Sequence, residues 1–192
     1  MSQIVFNSFP RSGNVYQGEM SKYFFHMMQT CVHMPEIFGV EGLYNVAVFR
    51  KPEDAISSLI MKQSIDGYIK DKKILIPSAK QEYELYKKYM ACAKEHKDII
   101  YIGIFDDLVN DTVKHFENIS KKFNIRLYTD YKKNFLNTKL SGKLWQDPYD
   151  GHVPRPKNNI RLEIEEKVKD LSFIQELNQE YEEFISNYAT IV

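Results

Sequence analysis

Apolar residues along this chain switch between a period of two and a period near 3.6, and each switch marks an element. Ile4-Val5-Phe6 opens as a short strand-type run, Pro10-Arg11-Ser12-Gly13 turns the chain, and Val15–Met28 reads as a helix. Tyr44–Phe49 is an apolar run suited to a buried strand. A helix follows it, with Pro52 in the first turn and Glu53 and Asp54 at the positive end of its dipole. Ser78-Ala79-Lys80-Gln81 is a capping-box pattern opening a helix through about Lys94, with Tyr83, Tyr86, Met90 and Ala93 along one face. Ile99–Phe105 reads as a third strand and Val113–Phe123 as a short helix. Ile164, Val168, Leu171, Ile174, Leu177, Tyr181, Phe184 and Tyr188 recur at helical spacing and predict one long amphipathic helix near 160–188. Lys132–Lys157 carries Gly142, Pro148, Gly151, Pro154 and Pro156 and reads as a long irregular loop near 132–160. This alternation predicts an α/β three-layer sandwich, a mostly parallel sheet flanked by helices, in a single domain over 1–192.

Charge narrows the partners. Lys plus Arg and Asp plus Glu number 26 each, so no global field draws in nucleic acid and anion-binding charge must be local. The two cysteines, Cys31 and Cys92, supply neither a disulfide framework nor metal-ligand spacing, and a cytoplasmic protein with reduced thiols is expected. No apolar run approaches the roughly 18 residues of a membrane span, and no basic-then-apolar leader is written at the N-terminus.

Two segments carry candidate chemistry. A strand feeding a glycine-containing turn at a helix N-terminus aims backbone N–H groups and the positive dipole end at one spot, which suits a phosphate. Arg11 adds a cation there, and the GxxxxGK[ST] spacing of nucleotide triphosphatases is missing. Arg50 stands at the carboxyl end of the next strand, with Ser57 and Ser58 on the helix that follows. An Arg and a hydroxyl so placed can grip a second phosphate at the sheet edge where open α/β folds bind ligands.

Among the histidines, His26 reads as packing, His96 and His115 as helix-surface residues, and His152 as a loop residue that could approach a ligand. His33 precedes Pro35 and lies between the two phosphate segments, and imidazole exchanges protons near neutral pH. Glu19, one helical turn beyond the phosphate loop, and Glu36, beside Pro35, read as solvated surface charges, and Asp106 and Asp107 stand at the end of a strand.

Taken together, these segments resemble the sulfotransferase family, whose donor is 3′-phosphoadenosine-5′-phosphosulfate (PAPS). The family's 5′-phosphosulfate loop has the form Pro-[Lys/Arg]-Ser-Gly-[Thr/Ser], matched by Pro10-Arg11-Ser12-Gly13. Its 3′-phosphate motif begins Arg-x-Pro with a Ser eight residues after the Arg, matched by Arg50, Pro52 and Ser58. Many cytosolic members carry Lys-Thr-His-x-Pro between the two, where this chain has Cys31-Val32-His33-Met34-Pro35. The segment Ile99–Phe105 with Asp106-Asp107-Leu108 looks like the family's strand and Tyr-Glu-Asp-Leu/Met stretch.

The resemblance implies a P-loop-like sulfotransferase architecture, with sulfuryl transfer from PAPS to a hydroxyl or amine of a small-molecule or glycan acceptor, and no metal. It implies His33 as general base, with Glu19 and Glu36 as rivals because some members use a Glu, Arg11 as stabiliser of the departing phosphate, and Asp106 and Asp107 as scaffold. Donor contacts would come from Pro10, Arg11, Ser12, Gly13, Asn14, Val15, Tyr16, Arg50 and Ser58. Asn14 and Val15 replace hydroxyl residues, so the Asn14 amide becomes a candidate phosphate contact, and Tyr16 stands where many members stack a Trp on adenine. The family's late Arg-Lys-Gly-x-x-Gly-Asp-Trp loop is absent. Gly151–Lys157 is its nearest counterpart, with Arg155 and Lys157 as candidates to close over a phosphate. Two other readings remain open at this point: an inert sulfotransferase-like nucleotide-binding or interaction domain, and a P-loop nucleotide kinase. The missing GK[ST] lysine and the lack of an obvious magnesium carboxylate weigh against the kinase.

Overall fold

A computed structural model describes residues 3–65, 75–140 and 159–190. Four strands, β1 (Gln3–Asn7), β2 (Gln29–Val32), β3 (Leu43–Phe49) and β4 (Tyr101–Ile104), form a parallel sheet in the order β2-β1-β3-β4. β1 sets Phe6 opposite Cys31 of β2 and Val46 of β3, and β3 in turn sets Val46 opposite Tyr101 of β4. The chain runs outward from β1 to β2 and then returns past β1 to β3. The direction of winding therefore reverses between β1 and β3, and the carboxyl ends of those two strands are where open α/β sheets form their ligand crevice.

Between and after the strands, in chain order, lie the helices α1 (Asn14–Ser21), α2 (Pro52–Ile65), α3 (Leu75–Glu95), α4 (Phe105–Asn110), α5 (Thr112–Phe123), α6 (Tyr131–Leu140), α7 (Asn159–Lys169) and α8 (Ser172–Tyr188). The period of two in the strands sorts them to two faces. Ala47, Phe49 and Ile102 face Ile56 and Ile60 of α2, Tyr86 and Tyr89 of α3, Val168 of α7, and Leu177 and Phe184 of α8. Ile4, Phe6, Val46, Val48 and Tyr101 face the opposite way, onto Met20 of α1, Leu108 of α4, Phe116 and Ile119 of α5, and Phe135 of α6. Phe24 stacks on Phe116 with ring centroids 4.4 Å apart, closing that second core. The α/β sandwich read from the sequence is the observed architecture. No helix of the described residues is long and apolar enough to cross a membrane.

The differences from the sequence reading are local. The first helix ends at Ser21 rather than Met28: the Ser21 carbonyl takes the amides of Phe24 and Phe25, and the chain doubles back into β2. β2 went unread because Gln29-Thr30-Cys31-Val32 is a short edge strand with one neighbour and no buried residue. The third strand starts at Tyr101, and Phe105 already opens α4. Residues 131–140, expected largely as loop, form α6. The long C-terminal helix is two helices, because Leu171 takes an extended backbone (φ −74°, ψ 124°) and restarts the turn.

His26 is exposed, edge-on to Tyr128, not packed in the core. His115 is the converse case. Expected on a helix surface, it is 3 % exposed, with Nε2 3.2 Å from Gln17 Oε1 and Nδ1 3.5 Å from the Tyr101 hydroxyl. Gly103 makes the room, since a Cβ there would lie 2.7 Å from the Tyr101 ring and 3.2 Å from the His115 ring.

Burial pushes the His115 imidazole down to about 3, so the folded protein holds it neutral. Above an unfolded-state pKa of about 6.5 both states are neutral and the core keeps its full stability. As pH falls from there toward 3 the unfolded chain binds the proton first, at up to about 1.4 kcal/mol lost per pH unit. Urea unfolding at pH 7.5 and pH 5.0 should show about 2 kcal/mol more loss in the wild type than in His115→Gln. Equal losses would contradict the buried neutral ring.

Candidate functional site

The carboxyl ends of β1, β2, β3 and β4 carry Ser8, His33, Arg50 and Phe105 respectively, so one sheet edge gathers the candidate groups. The loop after β1 is held from below. Ser8 is buried, its hydroxyl accepting the Val48 N–H at 2.7 Å, and Phe9 is buried with its ring 4.9 Å from Tyr86 and 6.1 Å from Tyr89. The loop then bends through two left-handed residues, Arg11 (φ 68°) and Gly13 (φ 92°). A non-glycine residue in that region stores strain, which clusters at functional sites. At Gly13 the space is closed as well: a Cβ would sit 3.1 Å from the Phe105 ring and 3.3 Å from the Leu108 side chain. Gly13 leads directly into α1, whose N-terminus no side chain caps. The first-turn amides of Asn14, Val15 and Tyr16 thus have no acceptor within the helix and form the floor of an anion cradle.

Two segments 47 residues apart meet over this floor. Arg11 Nε donates to Ser58 Oγ at 3.2 Å, and Ser58 is buried on α2. Ser57 is the serine that does not take part, its hydroxyl turned back to the Glu53 carbonyl of its own helix. Arg50 extends its guanidinium 4.8 Å above the Phe105 ring centroid, a cation–π contact, while its carbonyl accepts the Tyr86 hydroxyl. Burial raises the Tyr86 hydroxyl well above its usual range, so Tyr86 remains a proton donor to that carbonyl. Pro10 lies half-buried in the turn beside Arg11.

Beyond β2 the backbone is carried on by a side chain. Asn7 Nδ2 donates to the Met34 carbonyl at 2.7 Å, and the Met34 N–H donates to Asn7 Oδ1 at 3.0 Å. His33, exposed, is thereby fixed beside the loop, with Nδ1 2.8 Å from the Ser8 carbonyl. Asn14 Nδ2 lies 3.2 Å from the same carbonyl and 2.7 Å from the Val32 carbonyl. The side-chain amide that sequence reasoning offered to a phosphate is therefore engaged with backbone, and what Asn14 turns to the cradle is its N–H. Ser12 Oγ, Asn14 Oδ1 and Gln17 Nε2, all buried on this loop and helix, have no partner among the described residues. Of the three, Ser12 Oγ is the donor on the cradle loop itself.

Tyr16 packs on the second core with its hydroxyl 3.0 Å from Thr112 Oγ1, which ties the ring to the start of α5. Cys31 donates its thiol to the Asn14 carbonyl at 3.2 Å. The residue is exposed overall, but its sulfur lies under Gly18, where a Cβ would come within 2.5 Å. That partial burial, with Glu19 adding to it, pushes the thiol up, so a neutral group stands two residues before His33. Glu19 pairs with Lys22 at 2.7 Å and Glu36 pairs with Lys88, which holds the Glu36 carboxyl below its ordinary value. Both rival bases are thus surface ion pairs. Asp106 and Asp107 are exposed in the first turn of α4, where they complement its dipole. Arg155 and Lys157, with His152, lie outside the described residues.

Ser8, Asn7 and Phe105 escaped the sequence reading. Phe105 could have been found, since it follows a strand at the same sheet edge; Asn7 and Ser8 act through backbone carbonyls and amides and carry no motif. A cavity of about 380 Å³ lined by Lys22, Tyr23, Tyr128, Asn134 and Asn137 lies at the far end of α1 from the amide floor. It shares none of the groups described above.

No protein-family model and no curated protein matches the sequence. Solved structures do match. The crystal structure of mouse sulfotransferase SULT7A1 complexed with PAP aligns at a TM-score of 0.59 and 12 % identity, over 97 % of this chain and 84 % of that one. The sulfotransferase domain from the Synechococcus PCC 7002 olefin synthase aligns at a TM-score of 0.45 and 9 % identity, over 88 % and 96 %, too distant to bear on the site. At such identities the likeness is one of architecture: the chain has a sulfotransferase-like fold.

Proposed function

We propose that this chain is a PAPS-dependent sulfotransferase acting on a hydroxyl or amine of a small-molecule or glycan acceptor. The observation that carries the reading is the Arg11–Ser58 hydrogen bond, because it joins the two phosphate segments that follow β1 and β3. The residues fit a nucleotide with phosphates at two positions. The uncapped α1 amides, the Ser12 hydroxyl, which has no partner among the described residues, and Arg11 suit the 5′ group, and Arg50 with Ser58 suits the 3′ phosphate. A mouse sulfotransferase of this fold has been crystallised with PAP, in keeping with that fit.

PAPS supplies the sulfuryl group. The chain supplies a base, a cradle and orientation. His33 accepts the proton of the acceptor as the new sulfur–oxygen or sulfur–nitrogen bond forms. Arg11 and the loop amides take up the negative charge left on the departing phosphate oxygen as the old sulfur–oxygen bond breaks. Arg50 and Ser58 favour a 3′-phosphorylated nucleotide over ATP. Arg155 and Lys157 complete the donor site in this reading. An inert nucleotide-binding domain is the second reading, and the neutral Cys31 thiol at the family's lysine position is what favours it.

Calorimetric titration with 3′,5′-adenosine diphosphate, beside magnesium-ATP, separates the readings. Binding of the bisphosphate with ATP weak is expected; preference for magnesium-ATP would point to a kinase, and silence for both to an interaction domain. Arg50→Ala should weaken bisphosphate binding by about one to two orders of magnitude, the worth of a charge-assisted contact. Unchanged affinity would remove Arg50 from the site. His33→Ala should keep bisphosphate affinity and lower turnover by about 10²–10⁴-fold. A fully active variant would remove the base.

A further inference from the structure

Asn14 is 3 % exposed, and the two hydrogens of its Nδ2 have two carbonyls to meet, Ser8 O at 3.2 Å and Val32 O at 2.7 Å. The Ser8 carbonyl also stands 2.8 Å from His33 Nδ1. Two acceptors do not approach to that distance without a proton between them, so the ring carries its hydrogen on Nδ1 and donates it to Ser8. Asn14 Nδ2 and His33 Nδ1, 3.2 Å apart, are then two donors converging on one acceptor rather than partners of each other. A free neutral imidazole in water prefers the opposite arrangement, with the proton on Nε2. Something in the fold must therefore hold the less favoured tautomer.

We propose that Asn14 is the positioning residue of His33: it braces the Ser8 and Val32 carbonyls so that Ser8 holds the ring proton on Nδ1 and the Nε2 lone pair stays bare. Each end of the brace has a reason in the chain. Val32 directly precedes His33, so its carbonyl sets the direction in which the ring leaves β2. Ser8 is itself immobilised through its hydroxyl, which accepts the Val48 amide of β3. Asn14 opens α1, so the element that floors the anion cradle also sets the base, and cradle and base are aligned by one side chain. The significance of a bare Nε2 rests on the sulfotransferase reading. The tautomer itself does not, and it is measurable in the ligand-free protein.

Long-range ¹H–¹⁵N correlation spectra of the ligand-free chain, at a pH where His33 is neutral and with its signals assigned by their loss in His33→Gln, test this directly. The wild type should show Nδ1 protonated and Nε2 bare. Its Asn14 side-chain amide protons should exchange slowly with solvent. In Asn14→Ala and Asn14→Leu the ring should relax toward the Nε2-protonated form. If the chain transfers sulfuryl groups, turnover should then fall by about tenfold. A wild-type ring protonated on Nε2, fast exchange of the Asn14 amide, or an unchanged tautomer in a folded variant would each overturn the proposal. The wild-type measurements keep it refutable even where a variant fails to fold. Inactivity toward every acceptor, with the tautomer as described, would count against the enzyme reading and leave the positioning intact.

Discussion

Ser8 ties three strands at one buried point, and the geometry of the sheet edge depends on it. Its hydroxyl accepts the Val48 amide of β3, and its carbonyl receives His33 from the end of β2 and Asn14 from the start of α1, while the residue itself continues β1. A serine with no exposed surface contributes little by area. Its value lies in pairing its own buried hydroxyl and its carbonyl and in giving the following loop a fixed origin. With Phe9 wedged against Tyr86 and Tyr89, the loop has both a polar and an apolar anchor. The left-handed turns at Arg11 and Gly13 can be held only because both ends are so constrained.

From that origin the rest follows by proximity. Arg11 is carried over to Ser58, and Gly13 is pressed against Phe105, whose ring also lies under the Arg50 guanidinium. Each strand end supplies one component, so the site is distributed over four segments that the parallel sheet brings together. That distribution explains why the two cores matter to the chemistry. The α2–α3 side carries Ser58 and the Tyr86 hydroxyl that fixes the Arg50 backbone, and the α1–α5 side sets the amides of α1.

The parts legible in the sequence were those written in local backbone chemistry. Pro10 and Gly13 mark the turn, the Tyr44–Phe49 run marks a central strand, and Arg50, Pro52 and Ser58 have fixed spacing along one strand–helix unit. β2 was illegible because its four residues alternate without an apolar face, and because Phe24 and Phe25 continue the helical pattern of α1 past its end. The break at Leu171 hid for a related reason: Val168, Leu171 and Ile174 keep helical spacing across it. His115 could not be placed because its burial depends on Gln17, Tyr101 and the space at Gly103, all remote in sequence. The side-chain contacts of Asn14 were not legible, since nothing in the sequence shows that Ser8 and Val32 present their carbonyls to it.

The decisive measurement is a crystal structure of the chain with 3′,5′-adenosine diphosphate. The 5′-phosphate should lie on the α1 amides and Ser12 beside Arg11, and the 3′-phosphate between Arg50 and Ser58. A nucleotide seated elsewhere, for example in the cavity lined by Lys22 and Tyr128, with the Arg11–Ser58 contact unaltered, would contradict it.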